Sequence, residues 1–196
     1  MPDNRPESAT NRVAIATLAG AAGIAGGLAW AVLPLLWFAA DGGTSVLGYG
    51  VLDLLTLAAF PLALAGVAAY RARTADAWGR LATAGFALLA AGLTTGFSGS
   101  LAYVLAGLLA GWTLAVWGSL AALVGATVLG AGLLVDGVEP RVGAVLLTST
   151  LPVGVPVSLA LAVSGIVPTE AVVSVGPGLL FGGGVAALGV WVWREK

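Results

Sequence analysis

The sequence predicts an all-α fold, a polytopic transmembrane helix bundle of six spans. Three observations predict it. Charged residues are 9% of the 196-residue chain, against about 25% in soluble domains, so there are too few to cover a water-facing surface. Several uncharged stretches are long enough to cross a bilayer, which takes about 20 residues in a helix. With six spans, all eight Lys and Arg residues fall on one side of the membrane.

The elements follow in order. Residues 1–12 are polar, with Pro2, Asp3, Asn4, Pro6, Glu7 and Ser8, and read as a short cytoplasmic tail. Residues 13–40 carry no charge and form the first span, too long for the apolar core of a signal peptide. Asp41-Gly42-Gly43-Thr44-Ser45 breaks the chain. The second span is 46–70, with Asp53 inside it and Pro61 near its middle. Arg71 to Arg80 is the most polar internal segment and separates it from the third span, 81–97. Gly96-Phe97-Ser98-Gly99-Ser100 is expected to be the next break. The uncharged stretch 101–135 is too short for two crossings and predicts one long tilted span over 103–135. An interfacial or re-entrant turn within 98–111 is the alternative. A charged loop, Asp136-Gly137-Val138-Glu139-Pro140-Arg141, precedes the fifth span, 142–167, which Pro152 and Pro156 interrupt. Pro168-Thr169-Glu170 marks a turn, 171–193 is the sixth span, and 194–196 is a cytoplasmic end.

Charge sets the orientation. Arg5, Arg12, Arg71, Arg73, Arg80, Arg141, Arg194 and Lys196 share one side, and Asp41 and Glu170 lie on the other. The positive-inside rule makes the basic side cytoplasmic, placing both termini there in a cell membrane. Trp78, Trp191 and Trp193 fit an inner interfacial belt and Trp37 an outer one, whereas Trp30, Trp112 and Trp117 sit deeper, as packing residues.

Glycine, at 30 residues, would weaken soluble helices, but in a bilayer it lets helix backbones approach closely. Four pairs at four-residue spacing stand out: Gly23 and Gly27, Gly92 and Gly96, Gly107 and Gly111, Gly178 and Gly182. They are expected to carry packing within the bundle. The same faces could serve contact with a second copy or another membrane protein. Apart from these, the lipid bilayer is the expected partner, and no basic patch points to nucleic acid.

The residue types present exclude several chemistries. Without Cys or His there is no disulfide, no zinc site with N or S ligands, no haem-His ligation and no Ser-His or Cys-His nucleophile pair. No cofactor or metal is expected. Gly96-Phe97-Ser98-Gly99 is similar to the G-x-S-G box of rhomboid intramembrane proteases, a family in which that Ser is paired with a His on another membrane helix. The missing His leaves Ser98 without the base the resemblance implies. An aspartyl dyad needs two intramembrane carboxyls, and only Asp53 lies within a span. Gly176-Pro177-Gly178 and Gly182-Gly183-Gly184 lack the Lys that would hold a phosphate.

Asp53 is the residue singled out. A carboxylate about 10 Å inside a span is costly facing lipid, so Asp53 is expected to face the bundle interior. Thr56, Thr94, Thr95, Ser98, Tyr103 and Ser158 lie at similar depth and complete a candidate intramembrane polar site. No Lys or Arg is expected there, so Asp53 is either protonated and hydrogen-bonded, or holds a cation, or reaches a watery cavity. The sequence therefore points to a non-enzymatic structural or accessory membrane component. The alternative is a small transporter or channel with a proton- or cation-sensitive site around Asp53. A packed, dry Asp53 favours the first and a cavity around it the second.

Overall fold

A computed structural model describes residues 7–41, 43, 47–167, 172 and 174–194 of the chain. Seven α-helices follow one another: α1 (Glu7–Asp41), α2 (Tyr49–Thr74), α3 (Arg80–Ala106), α4 (Leu109–Val135), α5 (Arg141–Ser149), α6 (Gly154–Val163) and α7 (Val175–Arg194). A single 3-10 turn, Ala75–Ala77, joins α2 to α3. Among the described residues there is no strand. Five helices (α1, α2, α3, α4 and α7) are long and apolar enough to span a membrane, and a sixth is reached if α5 and α6, bent by 53° at their break, count as one span.

Backbone chemistry accounts for where the helices end. Arg71 and Arg73 occupy the last turn of α2, where positive charge suits the exposed carbonyls. Gly107 adopts the left-handed conformation (φ 64) and closes α3. Its N–H donates to the Tyr103 carbonyl at 2.9 Å. The bend between α5 and α6 falls at Leu151-Pro152-Val153, where Pro152 cannot continue the hydrogen-bond ladder. Pro156 is accommodated in the first turn of α6. Pro34 and Pro61, by contrast, are carried inside α1 and α2 without ending them.

Three expected boundaries move. Helix α1 already begins at Glu7, inside the segment read as a tail. The break expected at residues 96–100 is continuous α3, and the real turn is at Gly107-Leu108, so α4 starts at Leu109 rather than 103. The reason is that Gly96 and Gly99 are packing residues. A methyl group built on Gly96 would run into the Phe60 ring, and one on Gly99 into the Ala115 backbone. The break expected at Pro168-Thr169-Glu170 lies outside the described residues, as do Gly42, Thr44 and Ser45 of the first one.

The spans pack as a ring in which each helix meets its sequence neighbour and α7 closes back onto α1, with α2 and α7 also touching across the middle. Two tight units make up the ring. In the first, α3 and α4 form a hairpin whose seam is almost all small residues. Gly85, Gly92 and Gly99 recur every seven residues on α3, and Gly111, Gly118, Gly125 and Gly132 every seven on α4. That period keeps one face turned to the partner helix in a left-handed crossing. Methyl groups at Gly85, Gly92, Gly118, Gly125 and Gly132 would all collide with backbone of the facing helix. In the second unit α1 lies against α2 and α7. There Gly23 meets Gly66 and Gly189, and a Cβ on Gly23 would stand 2.9 Å from the Gly66 Cα and 3.1 Å from the Gly189 Cα.

The four-spaced pairs are thus packing residues inside the bundle, with Gly107 the exception. It has open space around it and serves as the α3 cap.

One end of the bundle gathers the described arginines of α2, α3, α5 and α7. Asp136 accepts a 2.7 Å hydrogen bond from the Gly79 N–H, tying the α4 end to the α3 start. The Tyr70 hydroxyl donates to the Glu139 carbonyl at 2.6 Å. Arg73 donates to the Val192 carbonyl, joining the ends of α2 and α7. The Arg71 guanidinium lies 4.5 Å from the Phe86 ring centroid, a cation–π contact. Arg80 and Arg141 begin α3 and α5 at this same end, and Arg194 closes α7. Asp41, the last residue of α1, and Tyr49, the first of α2, lie at the opposite, distal end.

Packing this close predicts a sharp steric threshold. Gly92→Ala, whose methyl meets the Ala122 backbone, is expected to cost about 1–3 kcal/mol. Gly50→Ala points into open space on α2 and is expected to be neutral or stabilising by up to about 1 kcal/mol. Thermal unfolding in detergent measures both, and equal midpoints would contradict the seam.

Candidate functional site

In the distal half of the bundle the two units part and leave a cavity of about 490 Å³. The bend at Pro152 explains the space. Helix α5 packs on α4 and α7 at the basic end, but beyond the bend α6 keeps its packing chiefly on α7. The distal half of α4 therefore lacks the neighbour that a straight fifth span would supply.

Four helices wall the cavity, each with one face. From α1 come Trp30, Leu33, Pro34, Trp37, Phe38 and Asp41, spaced as a single helical stripe. The same spacing recurs on α4 with Trp112, Ala115, Val116, Ser119, Leu120 and Leu123. Helix α2 adds Asp53, Thr56, Ala59 and Phe60, and α3 adds Ser100, Tyr103 and Val104. Ser174 and Gly178 close it at the start of α7. Trp112 is 53% exposed and Tyr103 39%, so the cavity opens to the surface beside this ring pair, whose centroids are 5.8 Å apart.

The floor is aromatic. Trp30 stands edge-on to Phe60 and Phe181, at centroid distances of 5.2 and 5.0 Å. Its Nε1 is buried with no hydrogen-bond partner among the described residues. Higher up, Trp37 Nε1 donates to Thr56 Oγ1 at 3.1 Å, and Thr56 in turn donates to the Leu52 carbonyl at 2.8 Å. Thr56 thereby fastens α1 to α2. At the rim, the Tyr49 hydroxyl donates to Asp41 at 3.3 Å.

Of the polar residues grouped from the sequence, the structure brings Asp53, Thr56 and Tyr103 to the cavity. Thr94, Thr95, Ser98 and Ser158 do not line it. Because α3 continues through residues 96–100, its cavity face is Ser100, Tyr103 and Val104. Thr94 and Ser98 instead share the exposed stripe with Ala87, Ala91 and Leu105, and Thr94 bonds back to the Ala90 carbonyl. Ser158 is fully buried and accepts a 2.6 Å bond from the Gly176 N–H, which pins α6 to the start of α7. Sequence reading missed Asp41, Ser100, Ser119 and Ser174 as lining residues and took Trp112, which is 53% exposed, for packing, whereas Trp30 does pack on the core while also lining the cavity. The repeated helical stripe on α1 and α4 is the signal that finds Asp41 and Ser119, whereas Ser100 and Ser174 lie off those helices and carry no such signal.

Asp53 is half-buried and makes no hydrogen bond or ion pair among the described residues. With Asp41 it supplies the only charged side chains on the wall among the described residues, both acidic. Chemically this is an apolar, aromatic container with a few hydroxyls and two carboxylates. Comparison with protein-family models, curated proteins and solved structures returns no match to this chain.

Asp53 has no partner among the described residues. Its replacement by Leu strands no partner, so Asp53→Leu is expected to unfold at the parent temperature. Thr56→Val, which strands the Trp37 N–H, is expected to lose about 1 kcal/mol. Detergent melting curves of the two variants check this, and a Leu variant less stable than the Val variant would show a hidden partner for Asp53.

Proposed function

We propose that this chain is a non-enzymatic, multi-pass protein of a cell membrane, with both termini cytoplasmic, that admits a small solute into its distal cavity as a transporter or channel component. The observation that carries the reading is the place of Asp53. Asp53, one turn inside α2, lines a 490 Å³ cavity that opens to the surface, rather than a dry helix contact. Intramembrane acids commonly mark solute or ion pathways. The volume is that of a small-molecule site, typically about 300–1,000 Å³.

Other features agree. The α5–α6 pair is bent by 53° and contributes no lining residue, which leaves the distal half of α4 facing the cavity. The described arginines gather at the end away from the cavity, which by the positive-inside rule supports a cavity in the outer half of the membrane. The lack of Cys and His, together with only two acids on the wall, supports a role without covalent or metal chemistry. A purely structural or accessory role would draw on small-residue faces free to dock a partner, and the close-crossing glycines are taken up within the bundle.

The absence of native Cys makes labelling clean. A small membrane-impermeant methanethiosulfonate added outside intact cells is expected to label Ser119→Cys on the cavity wall. Ala75→Cys, in the turn at the basic end, is expected to label only after the cells are permeabilised. Labelling of Ala75→Cys from outside would overturn the orientation. A Ser119→Cys that never reacts would overturn the accessible cavity.

A further inference from the structure

We propose that the distal cavity binds an organic cation with an apolar body, held by the Asp53 carboxylate and by aromatic faces. This rests on the reading that the cavity is the working part of the molecule, and it names what the cavity takes.

Charge narrows the ligand first. Among the described residues, Asp41 and Asp53 are the only charged groups on the wall. Asp41 is engaged by the Tyr49 hydroxyl at the rim, whereas Asp53, one helical turn further in, has no partner among the described residues. An anion would meet two like charges with no donor cation to offset them. A neutral apolar guest would displace water from the Asp53 carboxylate and supply no hydrogen bond in return, which is costly. A cation supplies the missing counter-charge.

The wall composition then separates organic from inorganic cations. A calcium ion needs 6–8 oxygen ligands and magnesium a full octahedron, and most of this wall is carbon. Aromatic rings do the remaining work. Trp37, Trp112 and Tyr103 present indole and phenol rings along the cavity, and a ring face attracts a weakly hydrated cation within about 6 Å. Tyr103 and Trp112, 5.8 Å apart at the opening, stand where a bulky cation enters. An apolar cation gains from the carbon wall, the ring faces and the carboxylate together. No other ligand charge uses all three.

Tetraphenylphosphonium and tetraphenylborate provide the test, being nearly the same size and shape with opposite charge. Titration calorimetry on the full-length protein in a non-ionic detergent is expected to show saturable binding of the phosphonium, one per chain, and none of the borate. Asp53→Asn, which keeps size and hydrogen-bonding capacity, is expected to weaken phosphonium binding by about tenfold or more. On Ser119→Cys, the phosphonium is expected to slow external methanethiosulfonate labelling and the borate to leave it unchanged. Phosphonium binding that is absent, matched by the borate, or indifferent to Asp53→Asn overturns the cation proposal. If Ser119→Cys still labels from outside, that failure is confined to the ligand class. If it does not label at all, the cavity reading itself has failed.

Discussion

Backbone-to-backbone contact through glycine is the constraint on which the rest of the structure depends. Lipid tails are as apolar as leucine, so apolar side chains gain little by leaving them, and helices in a bilayer hold together by close van der Waals fit. Here the fit is made by removing side chains. Along α3 and α4, glycine stands every seven residues on the facing surfaces, and the seam admits no methyl group at the positions where the two backbones meet. The Gly23, Gly66 and Gly189 crossing does the same for α1, α2 and α7.

Tight seams have a geometric consequence. Each unit is closed along its own glycine face, and its other faces carry full-sized side chains. Where the two units look at one another in the distal half, those side chains are tryptophan, phenylalanine and leucine on α1 and tryptophan, valine and leucine on α4. At the basic end α5 and the aromatic cluster of Tyr70, Trp78 and Trp191 fill the space. Past Pro152 the filler turns away by 53°, and the cavity is what remains. Gly118 and Ser119 show the division at single-residue scale: neighbours on α4, the first is pressed against α3 and the second lines the void.

How far this was legible varies with the kind of signal. Composition led directly to a helical membrane-type bundle, because 9% charge leaves no other solvent for so apolar a chain. Charged loops marked the turns at 71–80 and 136–141, and Pro152 with Pro156 marked the broken span. The turn at Gly107 was hidden because glycine has two uses. The run at 96–100 looked more like a break than Gly107 did, and only contact with Phe60 and Ala115 tells packing from ending. The polar site was legible in depth but not in azimuth. Asp53, Thr56 and Tyr103 meet on one cavity wall. Thr94 and Ser98 were grouped with them by depth alone, since a misplaced helix end loses the phase that puts them on the lipid side. Ser158 was invisible as a fastener because its partner, the Gly176 N–H, belongs to the backbone.

The central claim is that one face of α4 is closed to a methyl group while the next is open to a ring. The most direct measurement is a comparison of thermal unfolding, in one detergent, for Gly118→Ala and Ser119→Phe. The account predicts that the single methyl at 118 lowers the midpoint by several degrees, because it meets the Gly96 backbone, while the far larger addition at 119 leaves the midpoint at or above the parent value. A destabilising Ser119→Phe beside a neutral Gly118→Ala would contradict both the seam and the cavity.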